Sequence, residues 1–335
     1  MSCMWEARAV VLPAQSQSQY MMIGSEQFWK TEVDAPLLKR NAHFLRKDNA
    51  KELLERGKCL VDLVQDAVGG DLAVQLVPDC KDEAARRIFI LDAERTFKSP
   101  EHRQQMVTVL QSLWPELQDY HQGLGFLVAF LLLYLSPEDV VKVAIALHRH
   151  YVPGYFKAAP AAYVRDAKVY QKLLQKFFPD VATRIGDLTC PEAYVSKWFI
   201  GMNVHVLTYE AMMLFLEAFF ERKDTFLFQY ALALVKNVEA DIMATKDVSK
   251  ILAIMRLDES VYPDAKKGAG SDEPGSFFVN IVEDAINFDL GDADLQKLRD
   301  EATEEMRVEE EKRKEREKQM ALDSDDEIVF SDEDD

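Results

Sequence analysis

Cysteine is scarce and scattered in this chain: Cys3, Cys59, Cys80 and Cys190 form no CxxC pair. A structural zinc site needs clustered ligands, so none is expected, and free thiols in a reducing compartment are the simplest reading. Positive charge is also in deficit, with 40 Lys and Arg against 58 Asp and Glu, a net charge of −18. Eight of those acids lie in the last thirteen residues, Asp323 to Asp335; without them 50 acids face 40 bases, a net of −10. Such a body lacks the basic excess that nucleic acid or an anionic membrane surface demands. Long apolar runs are missing too. The densest, Leu124 to Leu135, would rise about 18 Å as a helix, short of the roughly 30 Å hydrocarbon layer, and reads as a buried core helix. The N-terminus carries Glu6 and has no apolar stretch of signal-peptide length, so a cytoplasmic protein is expected. Six histidines form no ligand cluster: His148 and His150, two apart, face different sides of a helix. No Ser/His/Asp or Cys/His set stands out. Gly268-Ala269-Gly270 is not followed by the lysine–serine/threonine pair of a phosphate loop. No metal and no cofactor of its own are therefore expected.

What the chain does have is helix punctuation. Ser99-Pro100-Glu101 and Ser136-Pro137-Glu138-Asp139 each combine an N-cap residue, a first-turn proline and early acids, the arrangement favoured by orphan N–H groups and the helix dipole. The first helix is expected to end before Pro115; another, from Lys51 to Val68, stops at Gly69-Gly70. Further amphipathic stretches cover about 163–178, 191–200, 208–220, 225–238 and 247–257, and only Val74 to Val77 looks faintly like a strand. The fold class is all-α. Five regions follow: a poorly ordered segment 1–33 with a Gln/Ser patch, a helical domain 34–256, a Pro/Gly-rich linker 257–276, C-terminal helices 277–322, the second highly charged and solvated, and a disordered acidic tail 323–335.

The chemistry concentrates between Ile88 and Leu133. The segment Ile88-Phe89-Ile90-Leu91-Asp92-Ala93-Glu94-Arg95-Thr96-Phe97 is followed by Asp119-Tyr120-His121-Gln122-Gly123-Leu124-Gly125. These residues resemble the TBC domain of Rab GTPase-activating proteins, defined by IxxDxxRT and YxQG motifs. Asp92, Arg95 and Thr96 fit the first, with Phe89 at the leading isoleucine; Tyr120, Gln122 and Gly123 fit the second. Lys197-Trp198-Phe199 and Leu216-Glu217-Ala218-Phe219-Phe220 resemble later family blocks, and the likeness covers about residues 34–256. It implies a TBC-type helical domain of two helical subdomains. Arg40-Asn41-Ala42-His43-Phe44 is a remnant of the family's RxxxW element, with Phe44 at the tryptophan.

The resemblance implies a chemistry in which Arg95 and Gln122 are lent to a Rab-type GTPase. During phosphoryl transfer, charge shifts among phosphate oxygens while the attacking water must lie in line. A guanidinium is permanently charged and fork-shaped, so it can grip two such oxygens. A glutamine amide can donate to phosphate and accept from water. Asp92 would hold Arg95, Tyr120 would pack beside the loops carrying the two fingers, and Gly123 and Gly125 would let the backbone approach the nucleotide. GTP and Mg would belong to the partner GTPase, with vesicle trafficking regulated and membranes reached peripherally, through that partner at endomembranes, without insertion. An adaptor that binds a GTPase or trafficking complex without accelerating hydrolysis is the competing reading; Phe44 and Leu216-Glu217 favour it, and the retained Asp92, Arg95 and Gln122 oppose it. In the tail, Ser324 and Ser331 precede acids, the context that an acid-directed kinase prefers.

Overall fold

A computed structural model describes residues 21–326, apart from 39, 41–44, 71, 78 and 187, with side chains to residue 320. Phe44 and Ser331 therefore lie outside the described residues, as does the side chain of Ser324. Helices α1 (Glu26–Thr31), α2 (Ala50–Val68), α3 (Glu83–Thr96), α4 (Pro100–Leu117), α5 (Gln122–Leu132) and α6 (Pro137–Ala146) form the N-terminal half. The C-terminal half holds α7 (Ala161–Phe177), α8 (Pro179–Gly186), α9 (Glu192–Phe199), α10 (Tyr209–Arg222), α11 (Thr225–Met243), α12 (Val248–Met255) and α13 (Ser276–Ile286), followed by α14 (Leu295–Asp326). Among the described residues there is no strand, and Val74 to Val77 is irregular. The chain is all-α.

Helix ends follow their caps. Ser136 accepts the Asp139 amide at the start of α6, and Gly69 takes the left-handed conformation (φ 80°) after α2. Pro115 does not stop α4, which continues to Leu117 and ends at left-handed Gln118. A proline that close to the C-terminus removes one backbone bond and leaves the rest of the last turn intact. The centre of the N-terminal half is α5, where Leu124 and Leu127 to Leu135 are all buried against α3, α4 and α6. Packing of α2 on α10 joins the halves into one continuous apolar core. No helix among the described residues is long and apolar enough to cross a membrane.

Three segments pack more than their composition suggests. Within 1–33, residues 21–33 form a 3-10 turn and α1, burying Met22, Ile23 and Phe28, while the Ile23 amide donates to Leu133 O at 2.9 Å. The 257–276 segment is irregular, yet Tyr262 and Asp264 are buried in it. Arg40 reaches that segment, donating to Tyr262 O at 3.1 Å, pairing with Asp264 at 3.5 Å and lying over the Phe278 ring. The charged helix α14, expected to be solvated throughout, docks along α7 over its first half. Ala302 is fully buried there, and Lys168 and Lys172 pair with Glu309, Glu301 and Glu305. Alternating charge that looks solvent-facing in sequence finds its counter-charges on α7.

Candidate functional site

The site is built where α3 ends and α5 begins. Asp82 caps α3 through the Ala85 amide, and the helix stops at Thr96 because Phe97 turns extended (φ −119°, ψ 148°). Pro100 keeps Ser99 out of the helical region, so a short turn separates α3 from α4. Glu32 fastens that turn. Fully buried, it accepts the Lys98 and Ser99 amides at 2.9 and 2.8 Å and the His102 Nδ1 proton at 2.8 Å. Burial pushes the Glu32 carboxyl up, but the His102 bond and the two amides outweigh it and hold the group below the usual range.

Asp92 is the hub. It lies one turn before Arg95 and is only 5% exposed. The Tyr120 hydroxyl donates to its Oδ2 at 2.8 Å, and Gln122 Nε2 donates to its Oδ1 at 3.2 Å. Arg95 Nη1 stands 3.7 Å from the same Oδ1, with the arginine side chain 65% exposed. Gln122 is exposed as well. Arg95 and Gln122 thus meet at one carboxylate oxygen, with both side chains open to solvent. Burial first, then the Asp92 charge and hydrogen bond, push the Tyr120 phenol far above its usual range and keep it a donor. Phe89 packs edge-on between Trp114 and Tyr120, at 5.8 and 5.1 Å, so the phenylalanine at the motif's first position wedges α3 against the approach to α5. Thr96 faces inward and donates to Asp92 O at 2.6 Å.

Both exposed side chains sit on helix ends rather than on loops. Arg95 is in the last turn of α3, and Gln122 is the first residue of α5, capped by His121, whose Nδ1 accepts the Gly123 amide at 3.0 Å. Burial lowers the His121 pKa, which favours this accepting, neutral ring. The two glycines also carry a packing constraint. A Cβ on Gly123 would stand 2.5 Å from Ile200 Cγ2, and one on Gly125 would overlap the Tyr120 hydroxyl. Close packing against Ile200 and Tyr120 therefore requires glycine at both positions. Arg40 finds its partners in the 262–264 segment and α13. Sequence reasoning missed Glu32 and the capping role of His121. The first is a lone acid in an unremarkable segment; the second was visible as the residue before an apolar helix.

One turn beyond Gln122, Phe126 meets the His205 ring edge-on at 4.5 Å. His205, Lys197, Arg40 and Arg256 line a groove of about 400 Å³ that Asp258 and Glu259 also border. Burial, then the Lys197 charge, depress His205 to about 4, so this ring is neutral at physiological pH.

Residues 76–243, half of the chain, match the model of the Rab-GTPase-TBC domain family, and the chain belongs to that family. Asp92, Arg95, Tyr120 and Gln122 fall inside the match; Glu32 and Arg40 precede it. Carabin from Mus musculus is 29% identical over 145 residues, covering 42% of this chain and 33% of that protein. TBC1 domain family member 2A from Rattus norvegicus is 24% identical over 278 residues, 78% of this chain and 28% of the relative. GTPase-activating protein gyp2 from Schizosaccharomyces pombe is 25% identical over 156 residues, 46% and 21% of the two chains. This chain thus spans a third or less of the length of each of these relatives. Among solved structures, the Chlamydomonas flagellar RabGAP TBC domain is similar at a TM-score of 0.49 and 15% identity, over 79% of this chain and 84% of that one.

Proposed function

We propose that this protein accelerates GTP hydrolysis by a Rab-type small GTPase, with Arg95 as an arginine finger and Gln122 as a glutamine finger supplied in trans. The observation that carries the proposal is the convergence of both side chains, exposed, on Oδ1 of one buried aspartate. Family membership supports the same reading, as do the relatives, which include a GTPase-activating protein. Asp92 keeps Arg95 within reach without a short ion pair, so the guanidinium can extend to phosphate oxygens at little cost. Gln122 spends one amide proton on Asp92 and keeps its carbonyl free to accept from a water. The GTPase would bring GTP and Mg, and the protein would reach endomembranes through it.

Phosphate release from a panel of GTP-loaded Rab GTPases tests this. Wild type should accelerate at least one member. Arg95→Ala should lower kcat by roughly 10³–10⁵, about 4–7 kcal/mol of barrier, and Gln122→Ala should also lower kcat, both with unchanged thermal unfolding. If wild type binds a GTPase but accelerates none, the protein is an adaptor. Equal activity of Arg95→Ala would remove the arginine from the mechanism.

A further inference from the structure

The two faces of α3 are cleanly divided. Ala85, Phe89, Asp92, Ala93 and Thr96 are buried, which meets the demand of the core. On the other side Ile88 is 46% and Leu91 40% exposed. Positions 88, 91 and 95 follow i, i+3 and i+7, so both apolar side chains share the face of Arg95, within about 10 Å of it along the axis. Exposed apolar residues scattered singly need no explanation; two in line with a reactive arginine form a surface.

We propose that Ile88 and Leu91 are the docking strip for the nucleotide-bearing face of the GTPase, and so help to select which GTPase is accepted. The inference rests on the reading that Arg95 reaches into a partner's nucleotide site. A globular protein whose phosphates touch Arg95 must lie over this face of α3, because Arg95 projects from it. It therefore covers the two preceding turns, and Ile88 and Leu91 gain from covering only if the partner presents apolar side chains beside its nucleotide. The contact is made in the ground state and the transition state alike. It acts on KM and leaves kcat alone, whereas Arg95 acts on kcat.

The test is GTP hydrolysis by the same panel with full-length Ile88→Gln/Leu91→Gln, beside affinity for each GTPase loaded with GDP and aluminium fluoride. KM for the preferred GTPase should rise about tenfold and affinity fall by a similar factor, with kcat within twofold of wild type. Each single variant should give about threefold. Met243→Gln/Val248→Gln removes two comparably exposed apolar side chains beside the α11–α12 connection and should change neither quantity. Unchanged KM and affinity in a folded double variant would overturn the proposal. If wild type binds a GTPase without accelerating it, and the double variant loses that binding, the strip stands and the catalytic reading falls. If wild type neither binds nor accelerates any member, both fall.

Discussion

Asp92 and Asp166 are both buried carboxylates on helices, but their surroundings differ in a way that separates scaffold from site. Asp166, 1% exposed on α7, is gripped from all sides. Arg299 donates to both of its oxygens at 3.0 and 2.9 Å, Arg165 at 2.7 Å and Tyr155 at 2.7 Å. Burial raises its carboxyl, yet these bonds hold it below the usual range. Arg299 is pinned again by Asp224 at 2.6 Å, so α14 is tied to α7 and to the start of α11. Asp92 instead receives neutral donors, Tyr120 and Gln122, and its nearest cation stands off at 3.7 Å. A saturated carboxylate fixes its arginine in place. One bonded mainly to neutral donors can position an arginine and still release it.

The largest expected effect tests that contrast on stability. Asp166→Ala takes the carboxylate from Arg165, leaves the largely buried Arg299 with Asp224 alone and orphans the Tyr155 hydroxyl, and should cost about 3–5 kcal/mol. Thermal or urea unfolding would measure it, while kcat per folded molecule stays near wild type. Asp92→Ala leaves no unpaired buried charge and should cost only about 1–3 kcal/mol, chiefly for the orphaned Tyr120 hydroxyl. Its kcat should nevertheless fall at least tenfold. Equal stability losses, or an active Asp92→Ala, would erase the distinction.

Glu32 lies between these extremes, with two amides and one imidazole as donors. Glu32→Gln should cost about 1–3 kcal/mol, because an amide group would confront a backbone N–H where a carboxylate oxygen accepted it. The pH dependence has a definite sign. Glu32 has a folded pKa below its unfolded one, so its contribution is fully present above about 4.3 and is lost as pH falls through the folded value. Wild-type stability should therefore drop more steeply below pH 4.3 than that of Glu32→Gln. Parallel acid curves for the two proteins would show that the carboxylate adds nothing.

How much of this was legible depends on the range of the interaction. The starts of α4 and α6 are local, written in Ser99-Pro100 and Ser136-Pro137, and the structure has them there. Asp92, Arg95, Tyr120 and Gln122 were legible as a motif, and the structure brings them together. The helical setting of Arg95 was not, since α3 carries Arg86, Arg87 and Glu94 among its apolar positions and its pattern is weak. Pro115 reads as a stop although it sits harmlessly in a last turn. Gly123 and Gly125 depend on Ile200 and Tyr120, and the docking of α14 depends on lysines of α7, more than 120 residues away in sequence. Tertiary partners at that distance leave no local mark.

The smallest predicted effect asks how rigid the Asp92 cluster must be. Gln122 opens α5, and His121 secures that opening by accepting the Gly123 amide on Nδ1. Only the neutral ring can accept there. Burial has lowered the folded pKa, so the contribution is complete above about 6.5 and declines as pH falls towards the folded value. His121→Ala should cost about 1 kcal/mol, the usual loss for an N-cap. His121→Asn offers an amide oxygen in nearly the same place and should restore most of it. If a loosely held cluster tolerates a frayed first turn, kcat for GTP hydrolysis will change less than twofold in His121→Ala. The geometry argues otherwise: Gln122 reaches Asp92 at 3.2 Å from the very first turn that the cap secures. A threefold to tenfold loss of kcat in His121→Ala, recovered in His121→Asn, is the expected result. Equal kcat in the two variants would mean that Asp92 alone aims the glutamine.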